Sequence, residues 1–176
     1  IGRGVDKVDL KKLGADFAYT IDGETAGSIE NETFSADGVK IIIRGVSAHP
    51  GFAKNKMESA IKIASEIVSA LPKEFLSPES SSDKDGFIHP VSINGSVEQA
   101  SIEFIIRDFK TELLKSHELI LEQIVQKVMT AYPGSGYEFI VEEQYRNMKS
   151  ILDQYPLIIQ AGIEAIERSG LTARLQ

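Results

Sequence analysis

From Asp37-Gly38 onward the chain alternates strictly. Val39, Ile41 and Ile43 fall on one face and Lys40, Ile42 and Arg44 on the other, the period of a strand that buries one side and runs to about Val46. A different period follows, in which Met57, Ala60, Ile61, Ala64, Ile67, Val68 and Leu71 recur at helical spacing with Lys56, Glu58, Lys62, Ser65, Glu66 and Ser69 mostly opposite. Pro72 lacks the amide hydrogen that another turn needs, so this helix ends there. Residues 72–87 (PKEFLSPESSSDKDGF) hold few apolar anchors and read as a long, mobile surface loop. Residues 88–94 and 101–108 then form an antiparallel hairpin, with Ile102, Phe104 and Ile106 on one face and Glu103, Ile105 and Arg107 on the other. A second long helix over about 110–131 directs Leu113, Ile120, Leu121, Ile124, Val125 and Val128 inward and breaks at Pro133-Gly134. His117 lies beside that stripe and reads as a rim or core histidine rather than a ligand. In a last strand, Tyr137, Phe139 and Val141 alternate with Glu138, Ile140 and Glu142.

The order over 38–145 is therefore βαββαβ, which predicts an α+β, ferredoxin-like domain with two helices on one face of a four-stranded antiparallel sheet. A domain of this size buries about two-thirds of its unfolded surface, enough for a cooperative core without metal or disulfide. The flanks have a different texture. Residues 6–13 read as a short helix stopped by Gly14, and residues 15–21 (ADFAYTI) as a buried strand that ends in Asp22-Gly23-Glu24. Asp22 either presents a carboxylate at the ligand-binding edge of an α/β sheet or opens an Asp-Gly turn into a strand over 28–34, and the spacing favours the turn. Near the other end, residues 155–169 form a helix with Pro156 at its start and Gly170 at its stop. Such flanks cannot make a complete α/β domain.

Composition narrows the chemistry. A net charge of −7 leaves no basic stripe for nucleic acid, and no apolar run approaches the roughly 18 residues of a membrane span. With no cysteine, disulfides and thiolate metal sites are excluded, so any metal falls to His or carboxylates. A cytoplasmic setting is compatible. The start at Ile1, without methionine or a signal-like segment, suggests a piece of a longer protein.

The most distinctive stretch is Arg44-Gly45-Val46-Ser47-Ala48-His49-Pro50-Gly51. Proline fixes one φ of a turn, and glycine accepts the positive φ that a type II turn requires, so His49 is expected on a stiff corner. It is either a turn-starting residue or an imidazole aimed at chemistry.

Three runs together, IGRGVDKVDLKKLGADFAYTIDGE, IRGVSAHPGFAK, and the Ser/Pro loop ending GFIHP followed by FIIRDF, resemble the peptidase T type of tripeptide aminopeptidase within the aminoacylase/carboxypeptidase G-type di-zinc metallopeptidase family. The resemblance implies a catalytic α/β domain interrupted by a lid, or dimerisation, domain. It assigns residues 35–148 to the lid, and residues 1–34 and 149–176 to partial catalytic-domain segments. It further implies that Asp22 ligates one zinc, that His49 is the lid histidine reaching the active site, and that Arg107 binds the peptide's terminal carboxylate. His89 matches less clearly, and Glu24 stands where the relatives tend to have glycine. The family's other zinc ligands, and the glutamate pair expected directly before Ile1, have no counterpart in the sequence.

Two functions follow from these observations. One is the lid-centred part of a zinc-dependent tripeptide aminopeptidase, with two zinc ions in the intact protein that this chain alone does not fully bind, a small peptide substrate and a homodimer through the lid. The other is a non-catalytic ferredoxin-like binding or dimerisation module.

Overall fold

The computed structural model describes residues 7–21 and 25–176. Its elements, in chain order, are α1 (Leu10–Leu13), β1 (Ser28–Ile29), β2 (Ser35–Arg44), α2 (Ala60–Ser69), β3 (Phe87–Gly95), β4 (Gln99–Asp108), α3 (Thr111–Met129), β5 (Gly136–Tyr145), α4 (Lys149–Leu152), α5 (Pro156–Arg168) and β6 (Arg174–Leu175). A 3-10 turn occupies Pro50–Phe52. The chain divides into two compact units, Thr33–Asn147 and the flanking Ile1–Glu32 with Met148–Gln176.

In the central unit the sheet order is β3-β4-β2-β5 with every pair antiparallel, the ferredoxin-like arrangement that the α+β reading expects. Ile41 stands opposite Ile102 and Val39 opposite Phe104. With Ile43 and Ile106 these side chains are fully or almost fully buried under α2 and α3, which contribute Ile63, Ala64, Ile67, Leu121 and Val125. The two helices are also tied at the surface, where the Tyr132 hydroxyl donates to the Glu66 carboxylate at 2.5 Å. That hydrogen bond is the main cause pushing the phenol up to about 12.

Helix phase is where the structure departs from the pattern. In α2, Ile63 is buried and Ile61 is 43% exposed; the two differ by more than half a turn, and apolarity alone did not separate them. In α3 the buried line runs Leu114, His117, Glu118, Leu121, Val125, while Leu113 faces outward. Two polar residues occupy the inner face because partners wait for them there. The loop before β3 is also less detached than its composition suggests. Leu76 packs against the core, and its carbonyl accepts the Ile88 amide at 2.9 Å.

In the flanking unit, α1 is capped by Asp9, which accepts the Lys12 amide at 3.1 Å, and is closed by Gly14 at φ 66°. β1 and β6 pair in parallel for two residues each. The expected strand over 15–21 does not form, and Phe17, Tyr19 and Ile21 are exposed. An interior strand needs a ladder on each side, and among the described residues no strand pairs with this segment. Gly162 of α5 is required by close approach, since a Cβ there would lie 2.5 Å from Ile29 Cδ1 and 3.1 Å from the Tyr19 ring.

Burial sets a direct test. Ile102→Ala should cost about 2–5 kcal/mol, whereas Ile61→Ala should change stability by no more than about 0.5 kcal/mol. Urea unfolding of both variants would measure this, and equal losses would contradict the phase of α2.

Candidate functional site

His49 sits just beyond the end of β2, at a corner built differently from the expected type II turn. The Phe52 amide donates to the His49 carbonyl at 2.8 Å, closing a 3-10 turn, and Gly51 keeps a negative φ. What glycine supplies here is room rather than positive φ. A Cβ on Gly51 would approach Nδ1 of His49 to 3.3 Å and Cε1 to 3.4 Å. The Gly51 amide donates to that Nδ1 at 3.2 Å, so in the neutral imidazole the proton resides on Nε2. His49 thus presents an N–H donor from an exposed position, beside the ring of Phe52 at 5.6 Å.

The loop carrying this histidine is held at both ends. Gly45 donates to the Glu98 carbonyl at 2.8 Å, Val46 and Glu58 exchange a pair of hydrogen bonds, and Ala60 donates to the Val97 carbonyl at 2.9 Å. The Glu58 carboxylate accepts the Gly134 amide at 3.0 Å and the Ser135 hydroxyl at 2.6 Å. Gly45 is required by this crowding, because a Cβ would fall 2.4 Å from the Glu58 carbonyl oxygen and 2.6 Å from that of Val97. The sequence pattern placed Glu58 on a solvated helix face; its role in pinning the loop depends on a turn 76 residues away.

Arg107 lies at the other end of the sheet. It stands opposite Ala36 on β2 and Phe87 on β3, on the face away from the helices. Its Nε is buried and has no hydrogen-bond partner among the described residues, which marks a donor still lacking an acceptor. Phe34 contacts both Phe87 and Phe109, with ring centroids 5.7 and 4.2 Å apart. Lys84 Nζ lies 5.5 Å from the centre of the Phe109 ring. His89 faces the same side as Arg107, one row along and opposite Ile105. It adds a minor pull to the Glu79 carboxyl, which the Ser77 hydroxyl chiefly holds below the usual carboxylate range.

Beneath Arg107, on the helix side, Asp108 and His117 form a buried pair with Oδ2 and Nε2 2.7 Å apart, while Asp108 Oδ1 accepts the Lys110 amide at 2.7 Å. Gly86 packs directly on them, for a Cβ there would come 2.2 Å from Oδ2 and 2.7 Å from Nε2. His117 is therefore a core histidine that holds the end of β4. Sequence reasoning missed this pairing, although a histidine about two turns into a helix, nine residues after a strand-ending aspartate, was its available signal.

The structure does not bring the expected site residues together. Arg107 pairs with Ala36 at one end of β2, and His49 follows Arg44 at the other, eight residues along, or about 26 Å of extended strand. Asp22 and Glu24 lie outside the described residues, so the metal assignment has no geometry here. Among the described residues there is no group of three or more His, Cys, Asp or Glu able to hold a metal ion, and no helix is long and apolar enough to cross a membrane.

Residues 31–135 match the peptidase dimerisation domain family. Peptidase T of Clostridium novyi (strain NT) is 38% identical over 175 residues, covering 99% of this chain and 43% of the relative. The chain thus spans less than half the length of this curated relative. Among solved structures, aminopeptidase PepT from Bacillus cereus ATCC 10987 superposes with a TM-score of 0.73 at 21% identity, over 98% of this chain and 46% of that one. A Bacillus subtilis protein described as a dinuclear metal binding peptidase from the M20 family superposes with a TM-score of 0.51 at 18% identity, over 87% and 36%.

The buried pair yields a prediction. His117→Leu should destabilise by about 3–5 kcal/mol because it strands the Asp108 carboxylate, whereas His117→Leu with Asp108→Leu should recover much of that loss. Chemical unfolding of the two variants checks the coupling, and additive losses would show that the pair does not act as a unit.

Proposed function

Because this chain belongs to the family of peptidase dimerisation domains, we propose that it is the lid-centred part of a peptidase T-like, metal-dependent tripeptide aminopeptidase, in which residues 35–148 form the lid and residues 1–34 and 149–176 belong to the catalytic domain. Apolar side chains left exposed on the flanks, Leu10, Ile21 and Leu157 among them, support the second assignment. Two metal ions, zinc by resemblance, belong to the longer protein, with Asp22 as one carboxylate ligand. The described residues do not make that centre, so only the lid's own groups have a geometry to reason from.

The observation that carries the reading is the buried, unpartnered Nε of Arg107. A carboxylate approaching side-on would accept from Nε and one terminal nitrogen together, the bidentate pairing that suits a peptide's C-terminus. His49 has a different task. With Nδ1 occupied by the Gly51 amide, its Nε2–H is available to a carbonyl oxygen that gains negative charge, a contribution of about 3 kcal/mol in comparable sites.

Reach decides how the two are used. An extended tripeptide spans at most about 11 Å, well short of the roughly 26 Å of β2 that runs from Ala36, beside Arg107, to Arg44, after which the chain enters the His49 corner. In this reading one lid serves two active sites of a dimer, its His49 at one and its Arg107 at the other.

The sheet edges differ in how well they suit such pairing. β5 carries Glu138, Glu142 and Glu143, which self-pairing would bring near their own copies. β3 has no Asp, Glu, Lys or Arg, and it exposes Val91 and Ile93 beside a groove of about 470 Å³ shared with Ser65, Val68 and Ser69 of α2. A second copy seated on β3 and α2 is the partner we propose. Pro90 and the register shift beside it confine strand pairing to the Val91 side.

In the full-length enzyme, His49→Ala should lower kcat and kcat/KM together by on the order of a hundredfold. Arg107→Ala should reduce kcat/KM for free-acid tripeptides and spare their C-terminal amides. Steady-state kinetics decides both, and full activity of His49→Ala, or equal losses of Arg107→Ala on acid and amide, would remove the corresponding role.

Val91→Glu should weaken self-association, while Glu138→Ala should not. Sedimentation of this chain tests the edge, and an unchanged association in Val91→Glu would exclude it.

A further inference from the structure

We propose that Phe87, backed by Phe34 and Phe109, forms an apolar wall beside Arg107 that selects an anion borne by an apolar residue: a peptide whose C-terminal side chain is hydrophobic. The inference rests on the reading of Arg107 as the carboxylate clamp, and it adds what lies next to that carboxylate.

Cross-strand register supplies the first part of the case. Phe87 is the direct partner of Arg107 across β3 and β4, so their side chains leave the same face with Cβ atoms about 5 Å apart. The position opposite on the other side is Ala36, too short to reach a bound ligand and itself fully buried. Ala36 is in turn the partner of Tyr145 on β5, so Phe87 is the ring in the position directly beside Arg107.

Ring contacts supply the second. Phe34 touches both Phe87 and Phe109, so the three rings hold one another and present a fixed, half-buried surface. Such a surface has little conformational freedom left to lose when a ligand arrives. It also keeps water from one side of the guanidinium, in keeping with a buried Nε that has no acceptor.

Charge supplies the third. Arg107 is cationic and its buried Nε has no acceptor among the described residues, so this end of the sheet favours an anion over a neutral apolar group. A carboxylate with an attached aliphatic or aromatic side chain satisfies both halves of the site. A small or acidic C-terminal residue satisfies only the first.

The test uses the 176-residue chain and three probes: N-acetyl-leucine, N-acetylglycine and N-acetyl-leucinamide. Binding is followed by NMR through the Arg107 Nε–H signal and the rings of Phe87 and Phe109. The proposal expects N-acetyl-leucine to bind about tenfold more tightly than N-acetylglycine, the scale of one partly buried aliphatic side chain, and the amide not to bind. Phe87→Gln should weaken N-acetyl-leucine more than N-acetylglycine, so that the tenfold ratio between them collapses, a change in ratio that loss of folding would not produce, and Phe87→Leu should keep most of it. Equal binding of the two acids would overturn the wall while leaving the clamp in place. Equal binding of acid and amide would overturn the clamp, and with it the carboxylate half of this inference. Failure of all three probes to shift any of these signals would overturn both.

Discussion

The pairing of β2 with β4 is the constraint on which the rest of this domain depends. Ten residue pairs run from Ser35 opposite Asp108 to Arg44 opposite Gln99. Because side chains alternate, a slip of β2 by one residue would turn Val39, Ile41 and Ile43 outward and Lys40 and Arg44 inward. The same register fixes where each end of the chain's chemistry falls. It places Arg107 beside Ala36 and delivers the chain beyond Arg44 into the histidine corner, so core formation and site geometry are one event.

At the Arg107 end the core is closed by polar pairs rather than by hydrocarbon. Asp37 pairs with Arg146 at 2.8 Å, Glu118 with Lys115 at 2.8 Å, and Asp108 with His117 at 2.7 Å. Arg146 is raised above its ordinary value, first by its hydrogen bond to Asp37, and Lys115 by its hydrogen bond to Glu118. In the first two pairs a buried carboxylate meets a cation that stays partly in solvent, so the net stability gained is small, but removing the cation would leave a buried carboxylate without its partner. Their consequence is specificity of placement. Asp108 cannot leave His117, so the strand end that presents Arg107 has one position.

At the His49 end the means are backbone contacts. Gly45 admits the carbonyls of Glu58 and Val97 where a side chain could not fit, and Glu58 reaches across to the turn before β5. The corner is thereby stiff while its imidazole stays exposed. These two rigid points lie at opposite ends of one sheet, in keeping with the proposed division of His49 and Arg107 between two sites.

Sequence alone determined the strand and helix periods, the stops at Pro72 and Pro133-Gly134, the face carrying Ile102, Phe104 and Ile106, and the family likeness that singled out His49 and Arg107. These are local signals, since apolar spacing states which side of an element prefers the interior. Only the tertiary structure decided that α3 turns His117 and Glu118 inward, that the His49 corner is a 3-10 turn, that residues 15–21 pair with no strand among the described residues, and that Arg107 and the His49 corner lie at opposite ends of β2. Burying a polar side chain is costly unless a partner meets it, and the partners here come from distant positions, such as Arg146 for Asp37 across 109 residues. Spacing along the chain cannot encode that meeting; the register of the sheet does.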